Sequence, residues 1–190
     1  MTKTPALAAL ALVAPFGATA LTQNASFAQE GEVVVDMHLV SANGMGDPLG
    51  TITMKDGKSG LNLAVNFANT LSPGPHGFHL HENGSCEAME KDGQMVAALG
   101  AGGHYDPSGS GSHQGPSGEG HLGDLPILFV QIDEDGATAT KHTLVAPRLT
   151  LADARGRAIV IHANGDNFRD EPNPLGGGGA RVACGVVPAS

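Results

Sequence analysis

From Glu32 onward the apolar residues fall mostly at every second position or in short runs, and glycine, proline, asparagine or aspartate cuts each run off. A period of two belongs to strands, whose successive side chains face opposite sides. Eight stretches fit: 32–40, 49–55, 61–68, 77–81, 127–133, 137–145, 158–162 and 181–187. Asp-Gly pairs at 56–57 and 135–136 supply tight connections between antiparallel neighbours. No stretch carries a sustained helical period with caps. The pattern predicts an all-β fold, an eight-stranded antiparallel Greek-key β-sandwich or flattened barrel.

Two long segments, 82–125 and 163–180, interrupt that rhythm. Loops of this length in a compact domain are expected to be functional. The stretch 102–124 is dominated by glycine, serine and proline, yet His104, His113, His121 and Asp124 punctuate it. Three imidazoles and a carboxylate on a chain free to bend suit a metal ion. His79 and His81, two apart on a predicted strand, share one face, and His162 ends another strand. Six histidines and an aspartate exceed what one four-coordinate zinc can use, so two metals are implied. Three histidines plus a carboxylate make a zinc site, while an all-imidazole set suits copper. If His104 served both, its ring would be a bridging imidazolate.

The 190 residues suffice for one core burying roughly 70% of the unfolded surface. Residues 1–28 stand apart from it: Lys3, an apolar run over 6–14 and small residues before 20 and 28 read as a cleaved signal peptide, leaving 29–190 as the domain. The apolar run is too short for a membrane span. Cys86 and Cys184 suit an exported chain either as two free thiols or as a bond closing a loop of about 98 residues, worth roughly 4 to 5 kcal/mol by chain entropy. The formal charge of -9, with scattered cations, one tyrosine and no tryptophan, excludes a nucleic-acid backbone binder. An anionic substrate would need a local positive patch.

His79-Leu80-His81, the Gly102-Gly103-His104 turn, the run from His121 to Pro126, Ile161-His162 and the run from Gly179 to Gly185 together resemble the copper-zinc superoxide dismutases, in particular the bacterial exported branch. The resemblance spans nearly all of 31–190. It implies copper on His79, His81, His104 and His162, and zinc on His104, His113, His121 and Asp124. It also implies an Asp166 carboxylate bonded to His79 and His113, an Arg181 guanidinium that guides the superoxide anion, and a Cys86–Cys184 disulfide.

The activity so implied is dismutation of superoxide to oxygen and hydrogen peroxide by one-electron copper cycling outside the cytoplasm, in the periplasm. His104 would release copper and take up a proton in one half of the cycle, and zinc would be structural. Bacterial members include monomers and dimers, so a homodimer is allowed. His76 is expected to be structural, His38 and His142 ordinary strand residues, and Lys91 a contributor at the channel rim. The second loop departs from the lysine-rich eukaryotic pattern: Asp166, Asp170 and Glu171 face a lone Arg169 there. A copper-delivery domain on the same fold would be expected to lack ligands or the arginine, and a two-zinc hydrolase would need a spare carboxylate as base.

Overall fold

The computed structural model describes residue 1 and residues 31–68, 71–132 and 138–190. Residues 2–28 of the expected signal peptide and the Asp135-Gly136 turn lie outside them. The described residues form eleven strands: β1 (Glu32–Ser41), β2 (Gly44–Gly57), β3 (Gly60–Ala68), β4 (Gly74–His76), β5 (Phe78–His81), β6 (Met89–Lys91), β7 (Gln94–Val96), β8 (Leu128–Ile132), β9 (Thr138–Ala146), β10 (Ala158–His162) and β11 (Arg181–Val186). Alternation sets the inward face: Val33, Val35 and Met37 on β1, and Leu61, Leu63, Val65 and Phe67 on β3, are buried. On β2 the register against β1 slips at Leu49, a bulge that also turns this leucine inward beside Ile52 and Met54.

Nine strands form one sheet in the order β4-β8-β9-β3-β2-β1-β11-β10-β5, each neighbouring pair antiparallel. The end members β4 and β5 are consecutive in the chain, with Gly77 alone between them. The sheet therefore curls back on itself into a flattened barrel around Phe78, Leu80, Leu125, Leu128, Ile159 and Ile161. Among the described residues no helix is long and apolar enough to cross a membrane.

The expected strand 77–81 begins one residue later, at Phe78, and a short strand that was not expected, β4, precedes it. Gly77 leaves the ladder, its N–H donating to the Asn164 carbonyl at 2.7 Å and its own carbonyl accepting from His162 N at 2.8 Å. The first long loop carries the two-stranded hairpin β6-β7, three residues a side and too short to show a period. A one-turn helix, α1 (Leu151–Ala154), also stands where no capped helix was expected. Four residues cannot display helical periodicity, but the cap was present in the chain: Thr150 and Asp153 exchange side-chain-to-backbone bonds in a capping box.

Strands β5 and β10 are buried on both faces, which is what organises the site. Phe78, Leu80, Ile159 and Ile161 point into the barrel, while Ala158 and Val160 point outward and pack with Cys86, Cys184, Ala98 and Ala101 of the covering loop and β11. The Cys86–Cys184 disulfide, with Cα atoms 5.7 Å apart, fixes that cover to the barrel. His79, His81 and His162 lie on the covered outer face.

Candidate metal centre

Backbone bonding brings two separate segments of the first long loop against β5. Leu80 N donates to Gly123 O at 2.9 Å, Tyr105 N to Leu80 O at 2.9 Å and Gly123 N to Tyr105 O at 2.8 Å. The same stitching makes the bridges His79 to Asp124 and His81 to His104. Gly123 must be glycine here, because a Cβ would stand 2.2 Å from the Leu80 carbonyl oxygen. His162 reaches the patch from the end of β10, and the second long loop returns over it through Ala163 N to Ala180 O, 2.7 Å, and Asn164 N to Gly178 O, 2.8 Å.

The residues expected at the site are all brought together. Donor atoms of His79, His81, His104 and His162 lie within 4.8 Å of one another, as do those of His79, His104, His113 and Asp124. His121 falls outside the second group, but its Nδ1 is 3.4 Å from Asp124 Oδ1. His79 belongs to both groups because its ring stacks on His104 at a centroid distance of 3.9 Å. Asp166 and all seven of these residues are at most 7% exposed.

Five of the six imidazoles, all but His121, have one nitrogen hydrogen-bonded to the protein, and that bond aims the other. A carbonyl oxygen can only accept, so His81 Nδ1 donates to Gly102 O at 3.0 Å and His162 Nδ1 donates to Gly179 O at 3.2 Å. Their Nε2 atoms then face each other at 3.4 Å. Asp166 holds His79 Nε2 at 2.8 Å and His113 Nε2 at 2.8 Å. The Nδ1 atoms of His104, His113 and His121 converge on Asp124 Oδ1 at 3.0, 3.0 and 3.4 Å. Asp124 Oδ2 is occupied by the amides of Gln114 and Gly115 at 3.1 and 3.2 Å.

Among the described residues, His79 Nδ1, His104 Nε2, His113 Nδ1 and His121 Nδ1 are buried without a hydrogen-bond partner. His113 Nδ1 and His121 Nδ1 at least face the Asp124 carboxylate, but His79 Nδ1 and His104 Nε2 face no protein acceptor or donor. An orphaned buried nitrogen costs about 1 to 3 kcal/mol, which a bound ion would offset. The donor set fits two metal ions: an all-imidazole group next to three imidazoles and a carboxylate oxygen. His104 belongs to both groups, with Nδ1 3.0 Å from Asp124 Oδ1 and Nε2 buried without a protein partner.

Protonation follows the same division. Burial, then the neighbouring His104, push His79 and His81 well below the usual imidazole range. Burial also lowers His104. His162 is lowered to about 4, by burial first and then by His104 and Arg181 against the Gly179 bond. These rings are neutral and ready to ligate near neutrality. His113 differs. Burial would lower it, but bonds to Asp124 and Asp166 outweigh that and raise it to about 9. Both carboxylates are held well below their usual range, burial notwithstanding, by bonds to the histidines.

A metal ion that takes His113 Nδ1 must therefore displace a proton. Calorimetric titration of the metal-free chain with zinc, in buffers of different ionisation enthalpy, should show about one proton released at neutral pH, falling away as pH rises through about 9. Acid should weaken this uptake, since the proton competes for the ligand atom. No proton release at neutral pH would contradict the His113 assignment.

The second loop is pinned to the first by more than Asp166. Asp170, read from the chain simply as part of an acidic loop, accepts His113 N at 2.9 Å and Leu175 N at 3.2 Å. Gly176, at φ +71°, closes over the carboxylate, and a Cβ there would sit 2.0 Å from Asp166 Oδ1. Arg181 is half-buried and donates to the carbonyls of Ala98 and Gly102, so one carbonyl, that of Gly102, anchors both His81 and Arg181. That carbonyl left no mark in the chain, since any residue supplies one.

His76 is buried, with its ring nitrogens 2.7 Å from His162 O and 2.8 Å from Ser72 O, and so supports the site without facing it. His38 and His142 contact backbone carbonyls on the sheet surface at 3.3 and 2.8 Å. Lys91 is exposed on the β6-β7 hairpin.

A flattened antiparallel barrel bearing two adjoining groups of side chains that could each hold a metal ion, one of them all-imidazole, belongs with the metal-binding β-barrels. Comparison narrows the class. The family model described as copper/zinc superoxide dismutase matches residues 49–187. The copper-zinc superoxide dismutase of Escherichia coli K12 is 44% identical over 182 residues, covering 95% of this chain and 96% of that one. The solved copper/zinc superoxide dismutase from Brucella abortus superposes with a TM-score of 0.76 at 48% identity, over 82% of this chain and 98% of that one. A monomeric copper, zinc superoxide dismutase from Salmonella enterica, solved in solution, gives a TM-score of 0.71 at 48% identity, covering 82% and 99%. The chain belongs to the copper/zinc superoxide dismutase family, oxidoreductases whose cofactors are copper and zinc.

Proposed function

We propose that this chain dismutes superoxide outside the cytoplasm, with copper held by His79 Nδ1 and by the Nε2 atoms of His81, His104 and His162, and with zinc held by the Nδ1 atoms of His104, His113 and His121 and by Asp124. The observation that carries the reading is His104, which belongs to both donor groups with Nδ1 3.0 Å from Asp124 Oδ1 and Nε2 buried without a protein partner, an arrangement that suits one ring serving both ions. Bound copper supplies a one-electron couple, which zinc lacks, so that one superoxide gives up an electron to become oxygen and a second takes one, with two protons, to become hydrogen peroxide.

The chain's own groups do the rest. Asp166 fixes the orientation of His79 and His113 together, so the two ligand groups cannot shift independently. His104 Nε2 is the buried position that can hold a proton in one half of the cycle and yield it in the other, while Nδ1 stays on the zinc side. Arg181, held by the Ala98 and Gly102 carbonyls, places a fixed positive charge beside His81 and His162 in a chain of formal charge -9. That local charge binds and orients the anion.

Export rests on Lys3 with the apolar run over 6–14, on the disulfide, which suits an oxidising compartment, and on bacterial relatives. Residues 1–28 are then a cleaved signal peptide and 29–190 the mature periplasmic enzyme.

Stopped-flow decay of superoxide by the copper-and-zinc-loaded chain tests the activity: two superoxide consumed should yield one oxygen and one hydrogen peroxide, and decay no faster than with free buffer would overturn it. Arg181→Ala should keep both metals while slowing consumption about tenfold or more and flattening its dependence on ionic strength. An unchanged rate and salt slope would remove Arg181 from its role.

A further inference from the structure

We infer that Arg148 is a positioning residue that pre-forms the zinc-binding loop from the barrel side. The inference rests on the reading that His104, His113, His121 and Asp124 hold zinc, and it adds a residue that carries no ligand atom and lies in neither long loop.

The segment 114–120, Gln-Gly-Pro-Ser-Gly-Glu-Gly, joins His113 to His121. Its start is held by the Gln114 and Gly115 amides on Asp124 Oδ2 and its turn by Glu119 N on Gln114 Oε1 at 3.2 Å, but these bonds use amides and leave the carbonyls of Gly115, Pro116 and Gly120 to find other partners. Three glycines leave its backbone permissive, and its recorded backbone bonds are sparse: His121 N to Ser112 O at 3.0 Å and Gly118 N to Gly115 O at 3.4 Å. Its carbonyls are instead gathered onto one guanidinium. Arg148 Nε donates to Pro116 O at 3.1 Å, Nη1 to Gly120 O at 3.1 Å, and Nη2 to Gly115 O at 3.4 Å and also to His121 O. Both sides of the loop and one ligand's own backbone thus hang on a single side chain.

The base of that side chain is rigid. Arg148 lies between Ala146, the buried last residue of β9, and buried Leu149. Leu149 N bonds Ala146 O at 3.4 Å, and the capped helix α1 follows, its Leu151 N tied to Asp56 Oδ1 at 2.7 Å. A planar fork with five donors can serve four carbonyls at once. A lysine ammonium, a point charge with three rotatable donors, cannot reproduce that arrangement.

If the loop is already shaped, zinc need not supply its ordering entropy on binding, and affinity gains accordingly. The opposing effect is charge. A cation near the zinc group repels the metal, so if charge dominated, removing Arg148 would tighten zinc binding. The sign of the change separates the two. The copper group takes no residue from 113–121, so copper binding serves as an internal control.

The test compares metal-free wild type, Arg148→Lys and Arg148→Gln. It uses zinc titration against a chromophoric chelator, the visible spectrum of cobalt(II) in the zinc group, amide hydrogen exchange, and copper binding to the zinc-free protein. We expect zinc affinity to fall about 10- to 100-fold in both variants, with lysine giving little rescue. The cobalt spectrum should be altered, exchange at Gly118 and His121 faster, and copper binding unchanged. Zinc affinity that is unchanged or higher in a folded variant would overturn the inference alone, as would equal losses for copper and zinc, the mark of general destabilisation. Wild type whose zinc affinity is indifferent to His121→Ala would overturn the zinc reading and this inference with it.

Discussion

His162→Ala should abolish superoxide consumption while leaving zinc in place. His162 belongs to the four-imidazole group alone, its Nδ1 committed to the Gly179 carbonyl and its Nε2 turned to His81. Removing it takes one of the four proposed copper ligands and none of the proposed zinc ligands. Losing merely the partner of a metal ligand typically costs 10- to 100-fold, so losing the ligand should lower activity by more than about 100-fold at limiting copper. The barrel should survive, since the core side chains of β10 are Ile159 and Ile161 on its other face. Metal analysis by mass spectrometry, paired with stopped-flow decay of superoxide, reads both halves of this expectation. Full activity, or zinc lost along with copper, would contradict the assignment.

Replacing both cysteines with serine should be the most destabilising change outside the barrel core. The disulfide closes a loop of 98 residues, and the chain-entropy model assigns such a bond roughly 4 to 5 kcal/mol. That is a large part of the 5 to 15 kcal/mol that a domain typically has. Urea unfolding of the metal-free double variant should show it as a lower midpoint. A second effect reaches the site. Cys86 packs with Ala98 and Ala101, and the carbonyls of Ala98 and Gly102 hold Arg181. Loosening the loop should therefore slow superoxide consumption even when both metals are bound. A normal rate in a fully loaded variant would mean that Arg181 is held without help from the disulfide.

Much of this was legible in the chain, for reasons that also mark where legibility stops. Alternation located all eight expected strands, because burying one face imposes a period of two. It also placed His79 and His81 on one side. It could not show that β5 and β10 are buried on both faces, since the cover comes from loops distant in sequence. The short strand β4 and the break at Gly77, which let β4 and β5 close the barrel, depend on backbone bonds to Asn164 and His162 that no periodicity encodes.

At the site the ligand residues stood out because imidazoles and a carboxylate are conspicuous in a glycine-rich loop. Their anchors did not. The Gly102 and Gly179 carbonyls that aim His81 and His162 are backbone atoms. Arg148 and Asp170 sit among ordinary charged residues; the partners of Arg148 lie 27 to 33 positions away, and His113, the partner of Asp170 in the first loop, lies 57 away.

The central claim is that the His104 ring is shared by two ions. Crystals of the copper-and-zinc-loaded chain, measured above and below each metal's absorption edge, would locate the two elements by anomalous scattering. The account predicts copper on His104 Nε2 with His79, His81 and His162, and zinc on His104 Nδ1 with His113, His121 and Asp124. Finding His104 bound to one ion alone in the oxidised protein, or zinc ligated by His79 in place of His121, would contradict it.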